Sequence, residues 1–173
     1  NFENAHSNLG GLLINLGKLK DAEISYRKAI ELNPNNASTN YHLAYILNAK
    51  GKVKEAFDYF LKTNEINPNY PNILQTISIF LNEANPALLN QLKLKNLLSF
   101  LLKQKNIPHK LLFRPFNFLY KNEIINLIKD ENINFSKIKI FKNKEIINYA
   151  LKKIIICDIH LEKSLTKIRK KAC

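Results

Sequence analysis

The sequence predicts an all-α fold: two helical hairpins stacked in tandem as a solenoid, a degenerate third, and a helical C-terminal region that caps them. Three observations carry that expectation. The first seventy residues match themselves at an offset of 34, pairing Gly17 with Gly51, Lys18 with Lys52, Ala22 with Ala56, and Asn33-Pro34-Asn35 with Asn67-Pro68-Asn69. Apolar residues elsewhere recur at helical rather than alternating spacing. Strand-like alternation is confined to 137–141, where no partner strand is visible and a helix or extended linker is expected instead.

Each hairpin is read in order. First helices are expected over 3–16 and 38–49, each ending near a glycine suited to the left-handed position after a helix. Second helices are expected over 19–32 and 53–66, stopped by Asn-Pro, since the residue before proline avoids the helical region and proline lacks a donor. Gly10, Ala22 and Ala29, with Ala44 and Ala56 in the second hairpin, are small enough for helices to cross closely. Leu9, Leu13, Tyr26 and Ile30 are expected to fill the space within and between hairpins. A third unit starts near Pro71, with Ile77, Ser78 and Leu81 in phase, and departs from the repeat at Asn85-Pro86. Leucines from Leu88 to Leu102 mark a long helix, and Pro108 and Pro115 punctuate the next stretch. Phe113, Phe116, Phe118, Leu119, Ile124, Ile125, Leu127 and Ile128 read as one or two further helices, and 145–156 and 161–169 close the chain as helices. The domain expectation is therefore two repeats over 1–70, a degenerate repeat and capping helix over 71–106, and a basic helical region over 107–173.

Composition narrows the function. With 46% hydrophobic and 24% charged residues among 173, the chain holds one ordinary core and is not a disordered segment. No apolar run approaches the roughly eighteen residues of a membrane span, so no transmembrane segment is expected. Two cysteines, Cys157 and Cys173, cannot form a disulfide framework, which points to a reducing, cytoplasmic setting. Only four glycines occur and none follows Gly51, leaving no place for a glycine-rich phosphate cradle in the later two-thirds. The chain begins at Asn1 and contains no Met, and it reads as a piece of a longer protein. Charge is uneven: eight cations face seven anions in 1–70, against nineteen and seven in 71–173. Arginine accounts for only three of the 27 cations (Arg27, Arg114 and Arg169), so specific phosphate recognition and a specific nucleic-acid partner are not expected.

Asn8-Leu9-Gly10, Leu13, Ala22, Tyr26, Ala29 and Asn33-Pro34 together resemble the tetratricopeptide repeat, and Ala44, Leu47, Ala56, Phe60 and Asn67-Pro68 repeat the likeness. Thr63 departs from it where Ala29 stands in the first copy. The resemblance implies a concave face lined by the first helix of each hairpin, used to hold an extended peptide of a protein partner. On that phase Asn4, Asn8, Tyr41, His42, Tyr45 and Asn48 are the contact candidates, accompanied by Ser7, Gly11, Asn15, Ser38, Asn72, Gln75, Thr76 and Ile79. Side-chain amides offer donors and acceptors that match an extended backbone. Relatives that clamp a C-terminal carboxylate carry Lys and Arg on this face, and this sequence has none there. An asparagine ladder like that of repeat-bearing sugar transferases is broken by His42 and Thr76.

The segment carrying Asp158, Leu161, Glu162, Leu165, Thr166 and Arg169 resembles a stretch of bacterial proteins in which such repeats precede a transferase domain. That domain is often an S-adenosylmethionine-dependent methyltransferase, sometimes a glycosyl- or sulfotransferase. The resemblance implies that 87–173 connects the repeats to a catalytic domain, whose cofactor residues have no match here. The chain itself offers no catalytic constellation: His6, His42, His109 and His160 lack metal-ligand spacing, and Cys157 with His160 is a lone pair. Asp158 and Glu162 suit a helix start. The expectation is a non-enzymatic interaction scaffold without metal or cofactor, its oligomeric state left open. The alternatives are a non-catalytic targeting arm of a larger transferase and a nonspecific binder of nucleic acid or anionic surfaces through the basic half.

Overall fold

A computed structural model describes residues 2–129 of the chain, with side chains described to Asn122. The expectations for 137–141, 145–156 and 161–169, and the transferase-like segment at 158–169, lie outside the described residues. Among the described residues the fold is all-α, a helical-hairpin solenoid with no strand. Two compact units divide it, one ending at Ile77 and the other beginning at Ser78.

The first unit is built from α1 (Phe2–Asn15), α2 (Leu19–Leu32), α3 (Ala37–Ala49), α4 (Val53–Ile66) and the start of α5 (Ile73–Glu83). Helices α1 and α2 form one hairpin and α3 and α4 the next, joined by packing of α2 on α3. The two hairpin turns share one backbone geometry. Gly17 and Gly51 sit at φ +71° and +72°, a region that only glycine enters without a Cβ penalty. Gly17 N–H donates to the Ile14 carbonyl at 2.9 Å and Lys18 N–H to the Leu13 carbonyl at 2.9 Å. The same pair recurs from Gly51 to Asn48 at 2.9 Å and from Lys52 to Leu47 at 2.8 Å, so both first helices end in a Schellman motif. The second helices end at extended Asn33 and Asn67, whose side-chain oxygens accept the N–H groups of Asn35 and Asn69 at 3.2 and 3.0 Å. Asn36 then caps α3 by accepting from Thr39 N–H at 3.1 Å.

Ala22, Ala29, Ala44 and Ala56 are fully buried at the crossings, among Tyr26, Leu43, Ile46, Leu47, Phe57 and Phe60. Thr63 occupies the slot of Ala29 without exposing its hydroxyl, which donates to the Tyr59 carbonyl of its own helix at 2.9 Å. Leu9 departs from expectation. It is 46% exposed, on a side of α1 that also leaves Leu12 and Leu16 exposed at 62 and 69%, whereas its counterpart Leu43 on α3, a helix that packs on both α2 and α4, is fully buried.

A buried carboxylate joins the two hairpins. Glu23 of α2 accepts from Arg27 Nη2 at 2.9 Å, from Lys52 Nζ at 2.9 Å, and from Lys50 Nζ, while Arg27 also reaches Glu55 at 2.6 Å. Burial opposes ionisation of Glu23, but the hydrogen bonds from Lys50, Lys52 and Arg27 outweigh it and hold the carboxyl at about 2.

The second unit contains the rest of α5, a 3-10 turn at Pro86–Leu88, α6 (Gln91–Lys103), a 3-10 turn at His109–Leu112, and α7 (Phe113–Lys129). Its core includes Leu94, Leu98, Leu101, Leu102, Leu112 and Phe116. The helix expected from Leu88 begins three residues later. Asn85, standing where Gly17 and Gly51 stand, is extended and caps the Pro86 turn by accepting from Ala87 N–H. Asn90 then caps α6 by accepting from Lys93 N–H at 3.0 Å. Pro115 does not interrupt the chain: it lies in the first turn of α7, where its missing N–H has no helical partner to lose. Arg114 donates to the carbonyls of Asn82 and Glu83 at 3.2 and 2.9 Å, satisfying the end of α5. Among the described residues no helix is long and apolar enough to cross a membrane.

Candidate functional site

A groove of about 710 Å³ opens between α1 and α3. Ser7, Asn8, Gly11, Leu12, Ile14 and Asn15 line it from α1, and Ser38, Tyr41, His42 and Tyr45 from α3. Tyr26 of α2, only 2% exposed, forms its floor. The helices approach this closely because α1 carries glycine at its crossing. A Cβ on Gly10 would stand 2.7–2.9 Å from three atoms of the Tyr26 ring, closer than packed atoms come.

Aromatic contacts run through the wall. Tyr26 stacks on His42 with centroids 5.5 Å apart and planes 20° apart. Tyr41 meets the His42 edge at 5.5 Å and packs on Tyr70 at 5.0 Å and Phe60 at 6.1 Å. Tyr70 O–H donates to Ser38 Oγ at 3.5 Å, and Ser7 shares a 3.4 Å hydrogen bond with Thr39. Thr39 Oγ1 and Asn36 Nδ2 donate in turn to the buried carboxylate of Glu3, tying the start of α1 to the cap of α3.

No lining side chain carries a full charge at neutral pH. Burial pushes the His42 imidazolium down from its ordinary value, so its ring is neutral there. Burial first, and then the neighbouring Tyr70, raises the Tyr26 phenol, which stays protonated and able to donate. The groove therefore presents amides, hydroxyls and aromatic faces. Such a surface recognises main-chain groups and uncharged side chains; it lacks the charged acid–base pair that most hydrolytic chemistry uses.

Of the contact candidates, Asn8, Tyr41, His42 and Tyr45 line the groove together with the accompanying Ser7, Gly11, Asn15 and Ser38. Asn4 is exposed on α1 and Asn48 half-buried on α3, and neither lines it, nor do Asn72, Gln75, Thr76 and Ile79. Leu12, Ile14 and Tyr26 line it without being among those candidates. Tyr26 has the spacing of a core residue, and the paired glycines at 10 and 11 are the one sequence signal that its ring could reach a surface.

Residues 3–36 match the tetratricopeptide repeat family, as do residues 25–58. The first match is the α1–α2 hairpin; the second joins α2 to α3 and runs into the start of α4. Residues 3–58, which include the α1–α2 hairpin and α3, are thus similar in sequence to the tetratricopeptide repeat. No curated protein matches the chain.

Proposed function

We propose that the chain is a non-enzymatic protein-interaction module that holds an extended peptide segment of a partner in the groove between α1 and α3. The observation that carries this is the uncharged lining, in which exposed amides of Asn8 and Asn15 stand beside the aromatic wall of Tyr41, His42 and Tyr45. Asn side chains can pair with the alternating donors and acceptors of an extended backbone. Tyr45, 55% exposed, offers an apolar face with a polar tip to a peptide side chain. Asn4 and Asn48 lie outside the lining and have no part in this reading.

Linear dodecapeptides displayed on phage and selected on the immobilised chain provide the probe, and the enriched peptides are titrated by fluorescence anisotropy. Asn8→Ala combined with Tyr45→Ala is expected to weaken binding by about tenfold or more. Tyr45 is chosen over Tyr41 because Tyr41 packs on three rings and its loss would disturb the fold. Unchanged helicity with equal affinity in the double variant would refute the groove.

A further inference from the structure

We propose that the Tyr26 hydroxyl, uncovered by the absent side chain of Gly11, is a hydrogen-bond donor to a main-chain carbonyl of an uncharged peptide in the groove, an inference that rests on the peptide-groove reading above. The Tyr26 ring is explained by packing, since it lies against Gly10 and stacks on His42. The hydroxyl is not. Among the described residues it has no hydrogen-bond partner, although the residue is 2% exposed and lines the groove. A donor that opens onto a groove in this way is free to bond whatever occupies it.

The repeat supplies its own control. Thirty-four residues on, the same slot holds Phe60, equally buried at 2% exposure, so packing at this position needs a ring and no oxygen. Gly11 points the same way. A Cβ there would lie 3.6 Å from Tyr26 Oη, and a larger side chain would roof the hydroxyl over; the counterpart of Gly11 in the second hairpin is Tyr45. Glycine inside a helix is unfavourable relative to alanine, yet here it keeps the donor accessible.

The acceptor is neutral. A carboxylate would find no cation among the lining side chains, whereas an amide carbonyl needs only the donor. Asn8 and Asn15 then flank the site to meet neighbouring main-chain groups, and Leu12 offers an apolar contact on the rim.

The phage-selected peptides, synthesised with amidated C-termini, test this by anisotropy on three proteins: the parent, Tyr26→Phe and Gly11→Leu. Tyr26→Phe is expected to keep its melting temperature and lose about five- to tenfold in affinity. Gly11→Leu, which retains the hydroxyl but covers it, is expected to lose at least as much. Equal affinity in Tyr26→Phe overturns the inference while leaving the groove intact, provided Asn8→Ala with Tyr45→Ala still weakens binding by about tenfold or more. Should Tyr26→Phe lose helicity, Gly11→Leu decides alone, and unchanged affinity there overturns the inference. Selected peptides that need a free C-terminal carboxylate or a charged central residue overturn the neutral acceptor. A selection that enriches nothing, or peptides indifferent to Asn8 and Tyr45, removes the groove reading and this inference with it.

Discussion

At residue 10 a hydrogen stands where almost any other residue would place a methyl, and that one atom sets how near α1 approaches Tyr26. Alanine is the better helix former by about 1 kcal/mol. At Gly10, however, the added methyl would meet ring atoms at 2.7–2.9 Å, and the ring cannot swing aside because His42 is stacked on it. Gly10→Ala is therefore expected to destabilise the fold by about 1–3 kcal/mol, read from the urea midpoint. Gly11→Ala, one position along, meets only the Tyr26 oxygen at 3.6 Å and is expected to be neutral or stabilising by up to about 1 kcal/mol. If both substitutions shift the midpoint alike, close packing at residue 10 does not set the helix approach. Spacing in the sequence makes Gly10 and Tyr26 core residues, correctly. The hydroxyl at the floor of the groove is invisible to spacing, because exposure of one atom depends on the neighbour's missing side chain.

Between elements, two titratable groups govern how α2 seats on the second hairpin. Glu23 ionises at about 2 in the fold and at about 4.5 without it, so its stabilisation is complete above pH 4.5 and is lost as pH falls toward 2. The shift corresponds to about 3 kcal/mol, but Arg27 and Lys52 are 36 and 41% exposed, and solvent screening reduces the contribution to about 1–2 kcal/mol. His42 is held neutral by burial, so its contribution is present above its ordinary value of 6.5 and fades as pH falls below that, when the unfolded chain takes up the proton first. Chemical denaturation against pH should thus show two descending steps, the upper removed by His42→Gln and the lower by Glu23→Gln. A profile unchanged by Glu23→Gln would show that the ionic junction contributes nothing. The helix boundaries of these elements are legible from Gly17, Gly51 and the two Asn-Pro pairs, since each imposes a backbone state by itself. The junction is not: nothing local distinguishes Glu23 from a solvated helix carboxylate, and its partners lie 27 and 29 residues away. The start of α6 escapes the sequence for a related reason, as a run of leucines hides the capping role of Asn90.

Taken whole, the chain carries a formal net charge of +13, most of the excess beyond residue 70. Self-repulsion on that scale opposes compactness and is screened once the Debye length falls below the spacing of the charges. Raising sodium chloride from about 0.05 M to about 0.5 M is expected to raise the melting temperature by a few degrees, since screening relieves the diffuse repulsion more than it weakens the half-buried Glu23 contacts. A falling melting temperature would mean that local ion pairs outweigh the global field. The order of the hairpins is also written into the molecule. Were the segments 3–36 and 37–70 transposed, the slot of Glu23 would hold Phe57, and the slots of Lys50 and Lys52 would hold Leu16 and Lys18. An oily ring would then confront an orphaned ammonium, so the modules, though cut to one length, behave as lock and key halves with a fixed sequence of assembly.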